Sequence, residues 1–400
     1  MAGNFVQLHN HTHYSLLDGA SKVPDLVKRV KELGMPAVGI TDHGNMHGAY
    51  ELWRAAVDSG VKPIIGIEAY VTPETARQDK TRVSWDTNWT PVPGHARNPD
   101  DVSGGGLITH LTMWAENDEG LVNLIKASSV ANLEGRVMRY PRMDKEVLST
   151  YSKGVIASSG CPSGIIQTRL RLGQFDEALR AAGEFQDIFG KDNFYIELMD
   201  HGLSIESKVT GDLLTIAKKL GAPLLATNDS HYVMEADKDA QDAMLCINSG
   251  ATLDDPNRFK FEGSGYYIKS AEEMRELFKD HPDACDNTLE IAERCNVIFD
   301  DHEDGAFMPQ FDCPEGWDET SLFLKKVEEG LEKRYDGNPP MEVLKQADYE
   351  CGVICQMQFC GYFLVVADYI NWAKEHGVMV GPGRGSAAGA MVAYAMGITE

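Results

Sequence analysis

Short apolar runs alternate, over the first half of the chain and somewhat beyond, with longer stretches whose apolar positions recur every three to four residues. Residues 5–8, 35–40, 61–67, 107–111, 154–158, 194–198 and 223–227 read as buried strands. Between them, 21–33 puts Leu26, Val30 and Leu33 on one helical face, with Pro24 near its start and Gly34 just past its end. Further helices are predicted over 46–59, 119–131, 163–172, 175–189 and 205–220. Strand, polar residue at the strand's end, then helix is the rhythm of a parallel α/β fold that gathers a site at one end of its sheet.

Two stretches break the rhythm. Residues 72–106 are rich in Pro, Gly, Asn, Asp and Trp without a period and read as a long surface insertion, where Trp85, Trp89 and His95 pack the loop or touch a ligand. From Pro282 onward helices dominate, at 282–296, 318–335, 341–356 and 362–376. A short strand at 378–380 then enters the glycine-rich run 381–389 and a helix of small residues. The boundary is therefore expected between a first domain, 1–281, and a second, 282–400.

The 400 residues are 43% hydrophobic, with no apolar stretch long enough to span a bilayer, no membrane partner expected, and a first few residues unlike a secretion signal. The 8 cysteines are scattered, which fits a reducing compartment and makes the cytoplasm the expected location. Cys351, Cys355 and Cys360 match no paired zinc-knuckle spacing and fall in a helical stretch. The net charge of -24 argues against broad, non-specific duplex binding but not against a metal-centred site, which needs acidic ligands. The basic clusters Arg136, Arg139, Arg142, Lys145 and Arg169, Arg171 read as solvated faces, and the acidic run 300–304 as a hydrated loop.

The chemistry sits where strands end. His9 and His11, one residue apart on a strand, face the same way, and Asp18 follows just before a turn glycine. His13 shares that face and reads as a neighbour of the site. His43, Glu68, His110, Cys161 and the pair Asp229, His231 occupy further strand ends. Any one has a bland explanation, a hydrogen-bonded histidine or a buried thiol; the repetition at separate strand ends does not. His201, in a turn, is expected to orient its neighbours.

Together, His9-x-His11, Asp18, Thr41-Asp42-His43-Gly44, Glu68, His110, Cys161 and Asp229-x-His231 resemble the polymerase and histidinol phosphatase (PHP) family. That resemblance implies a distorted, mostly parallel (β/α)7 barrel holding up to three divalent ions. The implied ligands are His9, His11, Asp18, His43, Glu68, His110, Cys161, Asp229 and His231. Zinc is the expected ion from the imidazole and thiolate content, with manganese or iron the alternatives at harder positions. Such a cluster activates water against a phosphoester and requires no side-chain nucleophile, in keeping with the lack of a Gly-x-Ser-x-Gly elbow. The proton for the leaving oxygen would come from an activated water, His13 or His201.

In the run Gly381-Pro382-Gly383-Arg384-Gly385-Ser386 a turn exposes backbone N–H groups to a phosphate, with Arg384 beside it and the Ser386 hydroxyl within reach. After a PHP module this run resembles the palm entry of the alpha-subunit family of bacterial DNA polymerase III, as do Asp255-Pro256-Asn257-Arg258-Phe259 and Gly361-Tyr362-Phe363-Leu364. The resemblance implies Gly385 and Ser386 at the triphosphate of an incoming deoxynucleotide and Mg²⁺ for polymerisation in the full-length protein. It also implies DNA with a primer 3′ end as substrate, and sliding clamp, accessory exonuclease and clamp-loader subunits as partners. The family's catalytic aspartates lie downstream of the glycine run, so nucleotide addition by this polypeptide is not expected. With every ligand position filled, the PHP module is expected to be a 3′–5′ proofreading exonuclease. The alternatives are a metal-stabilised scaffold that docks a partner and a free-standing phosphatase, the latter disfavoured by the second domain.

Overall fold

The computed structural model describes residues 5–86, 98, 106–300 and 308–400, which fall into two compact units, Met1–Phe299 and Asp300–Glu400. In the first, β1 (Ala37–Ile40), β2 (Lys62–Val71), β3 (Thr109–Ala115), β5 (Val155–Ser158), β6 (Phe194–Leu198) and β7 (Leu224–Ala226) are neighbours in that order, and β4 (Arg142–Met143) pairs with β2. All pairs are parallel except β2 with β3 and β3 with β5, so β3 alone runs backwards.

The segment expected as the first strand is an irregular ribbon, yet it joins the two edges of the sheet. Gly39 N donates to Gln7 O at 2.8 Å and Thr41 N to Asn10 O at 2.9 Å on the β1 side. On the β7 side His11 N donates to Ser230 O at 2.8 Å and Ser230 N to His9 O at 3.1 Å. The sheet is thereby curled into the distorted barrel that the family resemblance implies.

Strand periodicity then sorts the interior into layers. Val6, Leu8, Ala37, Ile64, Trp114, Ile156, Tyr195 and Leu225 form an apolar layer, supplied by the ribbon and six strands. Two residues further towards the same end, at the same inward parity, come Thr112, Ser158, Glu197 and Thr227, and four residues beyond Ile64, past Gly66, comes Glu68, all buried. Outward-facing Ile65, Ile67, Ala157 and Ile196 pack instead against the apolar stripes of the surrounding helices, among them Val23–Glu32, Ala49–Ser59 and Phe175–Phe189.

The expected domain boundary moves. Helix Pro282–Arg294 does not open the second unit; its Ile291 and Ala292, with Cys295 just beyond, complete the apolar layer of the barrel. Thr288 Oγ1 accepts from Val6 N at 3.1 Å, and Asn287 donates to Leu224 O at 2.7 Å. Helical periodicity cannot say which core a helix joins, and here the barrel's open end needed an apolar plug. The division accordingly falls between Phe299 and Asp300.

The basic clusters are corrected in part: Arg136 and Arg139 are exposed as expected, but Arg142, Arg169 and Arg171 are not. Arg142 is fully buried, its guanidinium donating to the carbonyls of Gly135, Leu107, Arg77 and Asp79 at 2.7–3.3 Å. Arg169 is buried too, 4.1 Å over the ring of Trp85 and paired with Glu74, which pins the insertion onto the barrel; Arg171 beside it is also buried. Trp89, His95 and residues 301–304 lie outside the described residues.

In the second unit, helices Glu319–Arg334, Met341–Gln356, Cys360–Glu375 and Met391–Ala395 share a core of Phe323, Val327, Leu331, Val343, Leu364 and Val392. Gly330 permits the closest crossing, since a Cβ there would run into the Ala395 carbonyl. Cys351, Cys355 and Cys360 lie within this helical packing. No strand forms at 378–380: no other strand exists among the described residues of this unit to pair with it, and Met379 is 97% exposed. Among the described residues no single helix is long and apolar enough to cross a membrane.

Replacing Arg142 with Met should leave four carbonyls without this donor, those of Gly135 and Leu107 in buried hydrogen bonds, and destabilise the first unit by about 3 kcal/mol. Urea unfolding followed by tryptophan fluorescence measures this; an unchanged midpoint would show that the guanidinium contributes nothing to stability.

Candidate metal centre

Above the polar layer, His9, His11, Asp18, His43, Glu68, His110, Cys161, Asp229 and His231 converge at one end of the barrel. Glu68, on β2, is nearly central: its Oε2 lies 2.6 Å from His43 Nδ1, 3.1 Å from His110 Nδ1 and 3.7 Å from His11 Nε2, and its Oε1 3.5 Å from His9 Nε2. Asp229 Oδ1 stands 3.0 Å from His11 Nε2, 3.4 Å from His9 Nε2 and 3.6 Å from His231 Nδ1. Asp18 Oδ2 reaches His43 Nε2 at 2.7 Å and His231 Nε2 at 3.5 Å, while Cys161 Sγ lies 3.3 Å from His110 Nδ1. Because β3 is antiparallel, His110 enters from that strand's beginning; Glu68 lies within β2, and the others follow the carboxyl ends of parallel strands or come from the ribbon and the turn after it.

These atoms approach without satisfying one another. His9 Nε2, His11 Nε2, His43 Nδ1, Asp229 Oδ1 and both oxygens of Glu68 are buried and have no properly aligned hydrogen-bond partner. Buried polar atoms are normally paired, so a convergent set of unpaired lone pairs is what a cation would complete. Three triads bring candidate ligand atoms within 4.8 Å of one another: His11, His43, His231; His9, His11, Asp229; and His43, Glu68, His110. Imidazole, carboxylate and thiol donors suit zinc and its first-row neighbours.

The supporting shell fixes how the rings point. Glu197, on β6, receives His9 Nδ1 at 2.7 Å and Thr227 Oγ1 at 2.6 Å, with Ser158 Oγ on its other oxygen, so the proton of His9 stays on Nδ1 and Nε2 faces the cluster. Asp42 is buried but turned away, accepting from Thr12 N and Oγ1 and from Ser15 Oγ at 2.7–2.8 Å. Ser15 in turn meets His11 Nδ1 at 3.1 Å and receives His43 N at 3.1 Å.

Electrostatically the site asks for positive charge. Burial alone would lower His9, but the Glu197 and Asp229 carboxylates hold its pKa well above the ordinary value. His43 and His231 are raised in the same way, against burial, by the oxygens around them. Burial and the neighbouring His43 and His231 push His11 down to about 3, so it offers a free lone pair. Burial favours the protonated carboxyl at Glu68 and Asp229, yet the imidazoles beside them keep both ionised. Burial and the same carboxylates hold the Cys161 thiol up, so it becomes a thiolate only when a cation joins it.

His13 lies outside the triads, its ring tilted against that of Tyr14 with centroids 4.3 Å apart. His201 is committed elsewhere, with Nδ1 on Glu206 at 2.7 Å and Nε2 on Asn228 O at 2.9 Å, which fits a residue that orients its neighbours. Arg384, Gly385 and Ser386 belong to the second unit and are exposed.

Residues 7–201 match the PHP domain family, and residues 321–400 match the bacterial DNA polymerase III alpha NTPase domain. The DNA polymerase III subunit alpha of Mycobacterium leprae is 51% identical over 398 residues, covering 99% of this chain and 33% of the relative. That of Treponema pallidum is 41% identical over 398 residues, covering 99% and 32%. The chain belongs to the bacterial DNA polymerase III alpha family. It spans about a third of the length of these curated relatives. A solved two-domain protein from Bacteroides vulgatus, titled as containing a predicted PHP-like metal-dependent phosphoesterase, aligns over 73% of this chain and 69% of its own at 12% identity and a TM-score of 0.33. The match to the PHP domain ends before Asp229 and His231, which reach the cluster only through the later strand β7.

Sequence reasoning passed over Glu197 and Ser15. Glu197 carried a usable signal, a lone carboxylate in the apolar run Phe194–Leu198; Ser15 carried none.

Zinc binding should release protons and weaken as the pH falls from about 7 to 6, because His9, His43 and His231 keep their protons to higher pH than a free imidazole. Calorimetric titration in two buffers of unlike ionisation enthalpy reads the release, and equal heats would contradict it. In the same titration Glu197→Gln should lose roughly 10- to 100-fold in zinc affinity.

Proposed function

We propose that the nine convergent side chains hold divalent ions, zinc foremost, and that the PHP domain hydrolyses the phosphodiester at a DNA 3′ end as a proofreading exonuclease. The observation that carries this reading is the buried, inward-facing set of unpaired donor atoms on His9, His11, His43, Glu68 and Asp229. A scaffold needs packing and satisfied polar groups, and these atoms supply neither.

Bound ions there would supply Lewis acidity, activating water and drawing charge from the phosphoryl oxygens. The chain's own residues divide the remaining work. Glu197 and Ser15 fix the His9 and His11 rings. The acidic ligands offset the charge of several cations inside one pocket. With His201 committed to Glu206 and Asn228 O, the proton for the leaving oxygen falls to an activated water or to His13.

In the full-length protein Arg384, Gly385 and Ser386 contact the triphosphate of an incoming deoxynucleotide and Mg²⁺ serves polymerisation, with sliding clamp, accessory exonuclease and clamp-loader subunits as partners in the cytoplasm. Membership of the alpha-subunit family supports this assignment.

Release of nucleotides from a mismatched primer end should require added zinc or manganese, stop with chelator, and drop at least about 100-fold in Asp229→Asn. Equal release by the variant and its parent would remove the exonuclease reading. Loss of thermal stability on chelation, with no release under any metal, would favour the scaffold.

A further inference from the structure

Beside the metal centre lies an open groove of about 500 Å³ that the chemistry above does not use. Its floor is shared with the centre: Gln241 lines it and donates to Asp18 O at 3.1 Å. One wall is aromatic. Phe261 meets the His231 ring edge-on, with centroids 4.6 Å apart, and Tyr266 packs 4.8 Å from Phe261. Phe259 stands beside the groove rather than in its lining, 6.1 Å from Phe261 and 61% exposed. A large apolar ring held in water at the head of a ladder of rings is a stacking surface in search of a planar partner.

The other wall is basic. Lys238, Arg258 and Lys260 face the carboxylates Asp242 and Glu262, which leaves a local positive excess on a chain of net charge -24. Arg258 is spent on Asp242, both nitrogens engaged at 2.5 Å, and this fork braces the loop that carries Phe259 against helix Lys238–Ser249. Lys238 and Lys260 are exposed, and neither is taken by an ion pair among the described residues. Rings for bases and free ammonium groups for phosphates, beside a groove whose Phe261 touches the candidate ligand His231, are the two elements of single-strand recognition.

We propose that this groove seats single-stranded DNA leading into the metal centre, with a base stacked on Phe259 and backbone phosphates against Lys238 and Lys260. The inference rests on the phosphodiesterase reading of the centre and adds the strand's path to it. It selects a frayed or unpaired end over a blunt duplex, because only an unstacked base can lie on Phe259.

Binding without turnover tests the path separately from cutting. A short fluorescein-labelled oligothymidylate with phosphorothioate 3′ linkages is titrated into the zinc-loaded full chain, with anisotropy as the readout. Phe259→Ala should weaken binding roughly tenfold while Phe259→Trp retains it. Lys238→Ala with Lys260→Ala should flatten the slope of log affinity against log salt by about 0.7 per lysine. Affinity unchanged in Phe259→Ala, a Trp variant as weak as the Ala variant, or an unchanged salt slope would each overturn the groove as the strand's seat. None of these results depends on hydrolysis, which the mismatched-primer assay decides alone.

Discussion

Glu68 is a carboxylate placed in the dry interior of a barrel with four imidazoles around it and no properly aligned hydrogen bond to either oxygen. An isolated buried charge of that kind is strongly unfavourable, and neutral histidines cannot compensate for it. The neighbourhood therefore has to acquire positive charge, by protonating His9, His43 and His231 or by taking up cations in their place. Much of the first unit can be understood as the framework that keeps this unresolved electrostatic demand in one spot instead of letting it relax.

That framework is layered. Helix Pro282–Arg294 and the apolar layer of Leu8, Ile64, Trp114 and Tyr195 exclude water from below. The next inward position on several strands is polar, and these residues hold one another and the lower ring of the cluster: Glu197 gathers Ser158 from β5, Thr227 from β7 and His9 from the ribbon. The alternation that builds a strand thus also sets the depth at which chemistry begins, two residues beyond the last apolar contact.

The parallel α/β rhythm, the placement of helices such as Phe175–Phe189, and the convergence of residues from His9 to His231 were legible because each rests on local periodicity or on a ligand-capable side chain at a strand end. Other features were not. The reversed direction of β3 depends on how the chain returns through the insertion after β2, which alternation does not encode. Arg142 looked like surface because its burial depends on four carbonyls drawn from distant segments. Helix Pro282–Arg294 has an amphipathic pattern equally suited to either unit, and only the open end of the barrel decided its place.

The ribbon that carries His9 and His11 is fastened on one side by Ser230 and below by Thr288, some 282 positions away from Val6. On a ribosome, the ribbon can meet β1 early, but its Ser230 and Thr288 partners emerge only when nearly the whole first unit has been synthesised. A side-chain cluster that closes only when both ends of its unit meet cannot assemble while the nascent polypeptide is incomplete, so topology itself delays the moment at which the pocket is whole.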